Sequence, residues 1–464
     1  MADITTLERD DIQGIVFSGY VHLRRTAYLL LSIDPARPAD ARGWLAALAD
    51  KVTTARGIQP GDSLNVALTY TGLEKLGLDQ TTLASFPIAF SDGMASKRRA
   101  YILSDNDVDD SAKWWWGGPA HPVDVLVMVF AETPDQLAAL VAALLADAAA
   151  HGVVEAVAPL HAQIYDDRNE HFGFSDGVAQ PVLGSQRNSK VGVSDGNVVS
   201  DGEFVLGYRN EYQMNSDAPA LGPDKTLGKN GTYLVFRQTT QDVAGFWNFV
   251  NDAAKKLPGR PDDTLARREL VAAKMVGRWR SGTPLVLAPD VDTNPNAIPS
   301  DMPTDAFGYG GDPKGLACPF GAHIRRSNPR DGLLTSTTAD ESVQRVARHR
   351  LLRRGRSYGP RIPDPLVDDG KRDERGLHFI CLCSDIERQF EFVQQTWINN
   401  PVFGQLVGEV DPLVGTQSAG DGIFTIQQAP VRRRLLNMQC FVTLRGGAYF
   451  FVPSIKALRW LGSR

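Results

Sequence analysis

Cysteine is scarce in this chain: four in 464 residues, at positions 318, 381, 383 and 440. Their spacing fits neither a disulfide framework nor a zinc site. Cys381 and Cys383 alternate within GLHFICLC, which reads as a buried strand, so the thiols are expected to be reduced and structural. Long hydrophobic runs are missing as well. No stretch approaches the roughly 20 apolar residues that span a bilayer, which excludes a helical membrane protein. There is no excess of one charge either: the formal net charge is -5, and the arginine-rich run RHRLLRRGR is short and local. Nucleic acid is therefore not an expected partner. The start, MADITTLERDDIQG, is acidic where a secretory leader would be basic and then apolar, and no twin arginine precedes a hydrophobic run, so the expected location is cytoplasmic.

What is present is ample material for a core, with 43% hydrophobic and 22% charged residues. Four segments share one pattern, an apolar strand followed by a few turn residues and an amphipathic helix. They begin at Tyr28, Val123, Gly231 and Gly376 and fall into two pairs. Thr133 with Pro134 and Gln136 reads as a capping box, and Leu137, Leu140, Val141, Leu144 and Leu145 mark one helical face behind it. Capping boxes recur as Thr239 with Asp242 and Ser384 with Glu387. Val243, Phe246, Trp247 and Val250 form one apolar face, and Ile386, Phe390, Val393 and Trp397 the other. With further strands in SLNVALTY and CFVTLRGGAYFFVP, the expectation is an α+β, duplicated ferredoxin-like fold of two β-α-β-β-α-β halves. The halves are expected to be residues 1–215 and 216–464. Long stretches rich in Gly, Asp, Asn and Pro at 184–230 and 288–320 read as functional loops.

Three short runs carry chemistry in a definite order: HFGFSDG with Asp176, CPFGAHIRRSNPR with His323, and RRGRSYG with Arg353 and Arg354. A neutral imidazole can ligate iron. A carboxylate and a guanidinium together can move a proton and stabilise a developing anion. Each residue also has a plainer reading: His323 as a loop histidine, Asp176 as an Asp-Gly turn, the arginines as a solvated basic face. Cys318, five residues before His323, is a rival iron ligand because a thiolate can also hold haem. The run Trp114, Trp115 and Trp116 suits packing as well as electron relay and receives no role.

Together these runs, with DDIQGIVFSGY near the start, resemble the dye-decolourising peroxidase family, and in particular its larger bacterial members, over nearly the whole chain. The resemblance implies a haem peroxidase that binds haem b mainly in the C-terminal half. It would reduce hydrogen peroxide and oxidise dyes, phenols or similar one-electron donors through a ferryl intermediate. In that reading His323 is the axial iron ligand, and Asp411, in EVDPLVGTQ, orients it. Arg330 contacts a haem propionate with Arg326 behind it, Asp176 is the distal acid-base group, and Arg353, rather than Arg354, is the distal arginine. Gly173 and Gly177 allow the GFSDG loop to approach a planar ligand, and one face of GLHFICLC packs on the porphyrin, with Ile380 and Leu382 carried as that pair. Tyr358 matches a family position linked to electron transfer at the surface, and a packed tyrosine is the other reading. The alternative function is haem storage, delivery or iron release with incidental peroxidase activity. The ending LRWLGSR carries no cargo-like tail, so packaging in a protein shell is not expected, and the residues do not specify an oligomeric state.

Overall fold

Alternating or continuous apolar runs become strands here because two sheet faces need covering. The N-terminal half contributes β1 (Arg25–Ile33), α1 (Pro38–Ala49), β2 (Asp62–Leu68), β3 (Val125–Ala131), α2 (Pro134–Ala150) and β4 (Leu160–Gln163). The C-terminal half contributes β5 (Thr232–Gln241), α3 (Val243–Lys255), β6 (Arg356–Tyr358), β7 (Gly376–Cys383), a π-helix in two stretches, Ile386–Glu391 and Val393–Ile398, and β8 (Val442–Val452). The computed structural model describes residues 7–56, 61–189, 195–220, 227–257, 263–295, 305–417 and 420–464. The first six residues of the N-terminal reading, and parts of the 184–230 and 288–320 stretches, lie outside the described residues.

Both halves have the same strand order, fourth-first-third-second: β4-β1-β3-β2 in one and β8-β5-β7-β6 in the other. That is the ferredoxin-like order expected from the repeated strand-helix units. The two sheets meet along both edges, each time through one pair of residues, Leu68 with Phe451 and Gln163 with Ser357. The eight strands thus close a ring. Tyr28, Leu30, Met128 and Phe130 from one sheet pack against Leu234, Phe236, Ile380 and Phe450 from the other to form the enclosed core. At about 25 cal/mol per Å² of apolar surface, such residues supply most of the drive for the halves to associate.

The helix starts follow local rules with small slips. Thr133 caps α2 by accepting the Gln136 N–H at 3.2 Å, but Gln136 returns its oxygen to Glu132 N rather than to the cap. The other two expected caps move. Strand β5 runs on through Thr239 because β7 and β8 pair with it on both sides, so Asp242 caps α3 by accepting Gly245 N at 2.9 Å. Asp385, not Ser384, caps the π-helix, accepting Arg388 N at 2.9 Å. The expected apolar faces are buried at Leu137, Val141 and Leu144, at Val243, Phe246, Trp247 and Val250, and at Ile386, Phe390, Val393 and Trp397.

A bulge in β8 decides what faces the site. Leu444 opposes Thr239 whereas Gly446 opposes Gln238, so the register shifts by one. A one-residue slip exchanges the two faces of a strand. Val442 and Leu444 therefore line the cavity on the outer face of the C-terminal sheet, while Ala448 and Phe450 join the core between the sheets. The tryptophan run docks on this bulge. Trp114 Nε1 donates to Asp109 O at 2.8 Å and Trp116 Nε1 to Gln238 Oε1 at 2.6 Å, so both indoles are anchors.

Candidate active site

One cavity gathers the predicted chemistry. Asp176 and Gly177 come from the GFSDG loop of the N-terminal half, His323 opens a one-turn helix, α4 (His323–Ser327), and Arg353 lies beside β7. The floor is the outer face of the C-terminal sheet, with Arg237, Thr239 and Gln241 of β5 next to Leu377 and Phe379 of β7. Phe390, Val393, Gln394 and Ile398 of the π-helix close one side. π-Helical turns are rare and recur at functional sites.

His323 Nδ1 lies 2.9 Å from Asp411 Oδ2, which leaves Nε2 as the ring nitrogen for the cavity. Asp411 is fully buried. Its other oxygen accepts the Leu413 and Val414 N–H groups at 2.9 and 3.0 Å, so one carboxylate both caps the turn after it and orients the imidazole. Burial works against a charge on either partner. Their mutual attraction outweighs it, raising the pKa of His323 and lowering that of Asp411.

Asp176 Oδ1 accepts the Gly177 N–H at 2.6 Å and stands 3.6 Å from Arg353 Nη2. Arg353 is held through its backbone N–H, which donates to Gln180 Oε1 at 3.0 Å. Both glycines of the loop have positive φ, +92° at Gly173 and +76° at Gly177. A Cβ at Gly173 would lie 2.7 Å from the Arg280 guanidinium that braces the loop from below. Arg354 turns away and donates to Ile15 O and Val16 O at 2.7 and 2.8 Å, so the choice of Arg353 for the cavity agrees with the geometry.

Other expectations need correction. Ile380 and Leu382 face the core between the sheets, because β7 pairs in a register that turns Leu377 and Phe379 to the cavity. Arg326 is fully buried and does not line the cavity. It donates to the carbonyls of Trp397, Asn400 and Glu409 at 2.8, 3.0 and 2.6 Å, tying α4 to the π-helix and to the segment before Asp411. Arg330 does line the cavity, but its guanidinium is already engaged by Asp305 and the Phe307 carbonyl. Tyr358 is buried, stacked on His378 with ring centroids 4.5 Å apart and donating to Thr239 O at 3.1 Å. It is the packed tyrosine, not a surface group. Cys318 is buried away from the cavity, and burial pushes its thiol up to about 12, which removes the rival ligand.

Sequence reasoning missed two residues. Arg350 lines the cavity, and among the described residues its buried Nη2 has no hydrogen-bond partner; burial also lowers its pKa to about 10. Glu170 lies in the cavity wall beneath the GFSDG loop. Neither sits in a spacing that would distinguish it from other arginines or turn acids in the sequence.

The arrangement fits a haem. Among the described residues no group of three or more His, Cys, Asp or Glu could hold a metal ion by itself. A lone histidine with a carboxylate behind it suits an iron whose other ligands come from a macrocycle. The unpartnered Arg350 nitrogen suits an acidic substituent.

No family model matches the chain. Individual relatives do. The multifunctional dye peroxidase DyP2 of Amycolatopsis sp. is 30% identical over 97% of this chain and 95% of its own length. The dye-decolorizing peroxidase msp1 of Mycetinis scorodonius is 28% identical over 98% and 87%. Among solved structures, a fungal DyP-type peroxidase from Auricularia auricula-judae superposes with a TM-score of 0.80 at 26% identity, covering 99% of this chain and 100% of that one. The DyP-type peroxidase of Anabaena sp. gives 0.79 at 26% identity, covering 98% and 94%.

Proposed function

This chain belongs to the dye-decolourising peroxidase family, and from that membership we propose which of its residues carry out the haem peroxidase reaction. The cofactor is haem b, which when bound supplies the iron at which hydrogen peroxide is reduced and dyes, phenols or similar donors are oxidised one electron at a time. His323 Nε2 would hold the iron, with Asp411, 2.9 Å from Nδ1, keeping the imidazole oriented and basic. Arg350, whose Nη2 is not engaged within the described residues, would meet a propionate, while Arg330 nearby is held by Asp305 and the Phe307 carbonyl.

In the same cavity, Asp176 would take a proton from hydrogen peroxide and return it to the departing oxygen. Its Oδ1 is occupied by the Gly177 N–H, so Oδ2 handles the proton. Arg353 stabilises the negative charge that develops as the O–O bond breaks. The carrying observation is that Asp176, Arg353 and His323, far apart in sequence, line one cavity. Haem storage or delivery needs neither distal group, and the relatives' names do not favour it. The same reading divides the chain into 1–215, bearing the distal loop, and 216–464, bearing most of the haem cavity. It places the protein in the cytoplasm, where four unpaired cysteines stay reduced.

The test is an absorption spectrum of the haemin-loaded protein before and after one equivalent of peroxide. A Soret band that changes within seconds and returns when a dye is added supports the reading. Asp176→Ala and Arg353→Leu should slow that change by roughly 10²- to 10⁴-fold with haem retained, and His323→Ala should lose haem. Normal rates in both distal variants would remove the assignment.

A further inference from the structure

We propose that Glu170 is a positioning residue that sets where the Asp176 carboxylate stands. Asp176 has little hold on its own position: among the described residues its partners are the N–H of the next residue and Arg353 at 3.6 Å. Its place is therefore inherited from the loop, and the loop is wound around Glu170. The Glu170 carboxylate accepts the Phe172 N–H at 2.8 Å, the Phe174 N–H at 2.9 Å and Gln241 Nε2 at 2.7 Å. Its backbone closes the same turn, with Glu170 N donating to Phe174 O and Gly173 N donating to Glu170 O, both at 2.9 Å. Arg361 Nη1 adds a bond to the Glu170 carbonyl at 2.7 Å.

Two features separate this from an ordinary turn acid. Gln241 belongs to β5, so the side-chain bond ties a loop of the N-terminal half to the cavity floor of the C-terminal half, where the cofactor is expected. Glu170 also stands where two cavities adjoin. It lines both the central cavity and an outer one, and the residues they have in common include Ser175, Asp176, Gly177, Arg353 and Leu377. The loop is the partition, and Glu170 holds it to the floor. A displacement of about 1 Å at a reacting group can cost about 10²-fold in rate, so such a tie has kinetic weight.

The inference rests on the acid-base role given to Asp176, and its test has one readout that does not depend on turnover. In Glu170→Gln an amide NH₂ replaces one of the oxygens that accept these N–H groups. Hydrogen exchange at whichever of the Phe172 and Phe174 amides then faces the NH₂ should quicken at least about tenfold as its protecting bond is lost. The peroxide step should slow by roughly 10- to 100-fold, while reduction by donor stays as in the wild type. Gln241→Leu, which leaves the two backbone bonds intact, should show the same changes more weakly, and it carries the test if Glu170→Gln does not fold. Faster exchange with an unchanged peroxide step in both variants would make Glu170 a merely structural residue and overturn the proposal, as would unchanged exchange. A wild-type protein inert to peroxide would instead overturn the functional reading, and with it the role given to Glu170.

Discussion

At the scale of single residues, the site depends on side chains that serve two ends at once. Asp411 satisfies two turn amides with one oxygen and His323 with the other, so the plain reading as a turn aspartate and the functional reading both hold. Asp411→Asn should keep the turn and the haem while lowering the basicity of the imidazole. A rise in the iron reduction potential, read by redox titration, and a peroxide step about 10- to 100-fold slower are the expected outcomes. Arg350→Ala removes the buried guanidinium whose Nη2 has no partner. A charge-assisted hydrogen bond contributes about 1.5–3 kcal/mol, so haemin should bind roughly 10- to 100-fold more weakly in a titration; unchanged affinity would exclude Arg350 from the propionates. Taken singly, His323, Asp176 and Arg353 have plain readings in the sequence; it is the order of their runs, and the family those runs resemble, that marks them as one set, and the fold brings all three to one cavity. Arg350 and Glu170 were not legible there, because their meaning comes from what lies across the cavity. Arg326 looked like a cofactor cation for the converse reason, since sequence shows its charge but not the four backbone carbonyls that occupy it.

At the scale of elements, periodicity identified strands and helices but not which strand face meets which layer. The alternation in β7 was plain, yet Ile380 and Leu382 went to the inter-sheet core and Leu377 and Phe379 to the cavity. Both faces are apolar, so hydropathy could not separate them. The bulge in β8 shows how tightly this layer is set. A Cβ at Gly446 would lie 2.5 Å from Trp116 Nε1, part of a rigid, fully buried indole. Gly446→Ala should therefore destabilise the fold by about 1–3 kcal/mol, measured as a lower denaturant midpoint with unchanged slope. The helix caps slipped by one to three residues for a related reason: pairing on both sides extended β5 past Thr239, whose side chain alone would have served as a cap.

At the scale of the whole molecule, the two halves share one core enclosed by a ring of strands, so acid should be felt across it. His378 stands in that core against Tyr28, Phe236 and Tyr358, with neither ring nitrogen hydrogen-bonded. Burial lowers its pKa to about 3. The unfolded chain protonates this imidazole near pH 6.5 and the folded chain only near pH 3, so the stability carried by the neutral ring is lost as pH falls below 6.5. His378→Phe should be at least as stable at pH 7. Its advantage over the wild type should grow by on the order of 3 kcal/mol by pH 4, read from urea unfolding at the two pH values. An advantage independent of pH would show that His378 titrates in the fold as it does in the unfolded chain.

The sequence alone shows the duplicated strand-helix pattern and the apolar helix faces, and, through the resemblance of its short runs, the aspartate, histidine and arginine put forward for the chemistry. These rest on periodicity and on short motifs, which are properties of neighbouring residues. Which strand face lines the cavity, that Arg350 Nη2 has no hydrogen-bond partner among the described residues, and that Tyr358 is enclosed emerge only once the chain is folded. Those depend on pairing register, on the β8 bulge and on carbonyls brought from distant segments, and a guanidinium or a phenol has no role until its partners across the fold are in place.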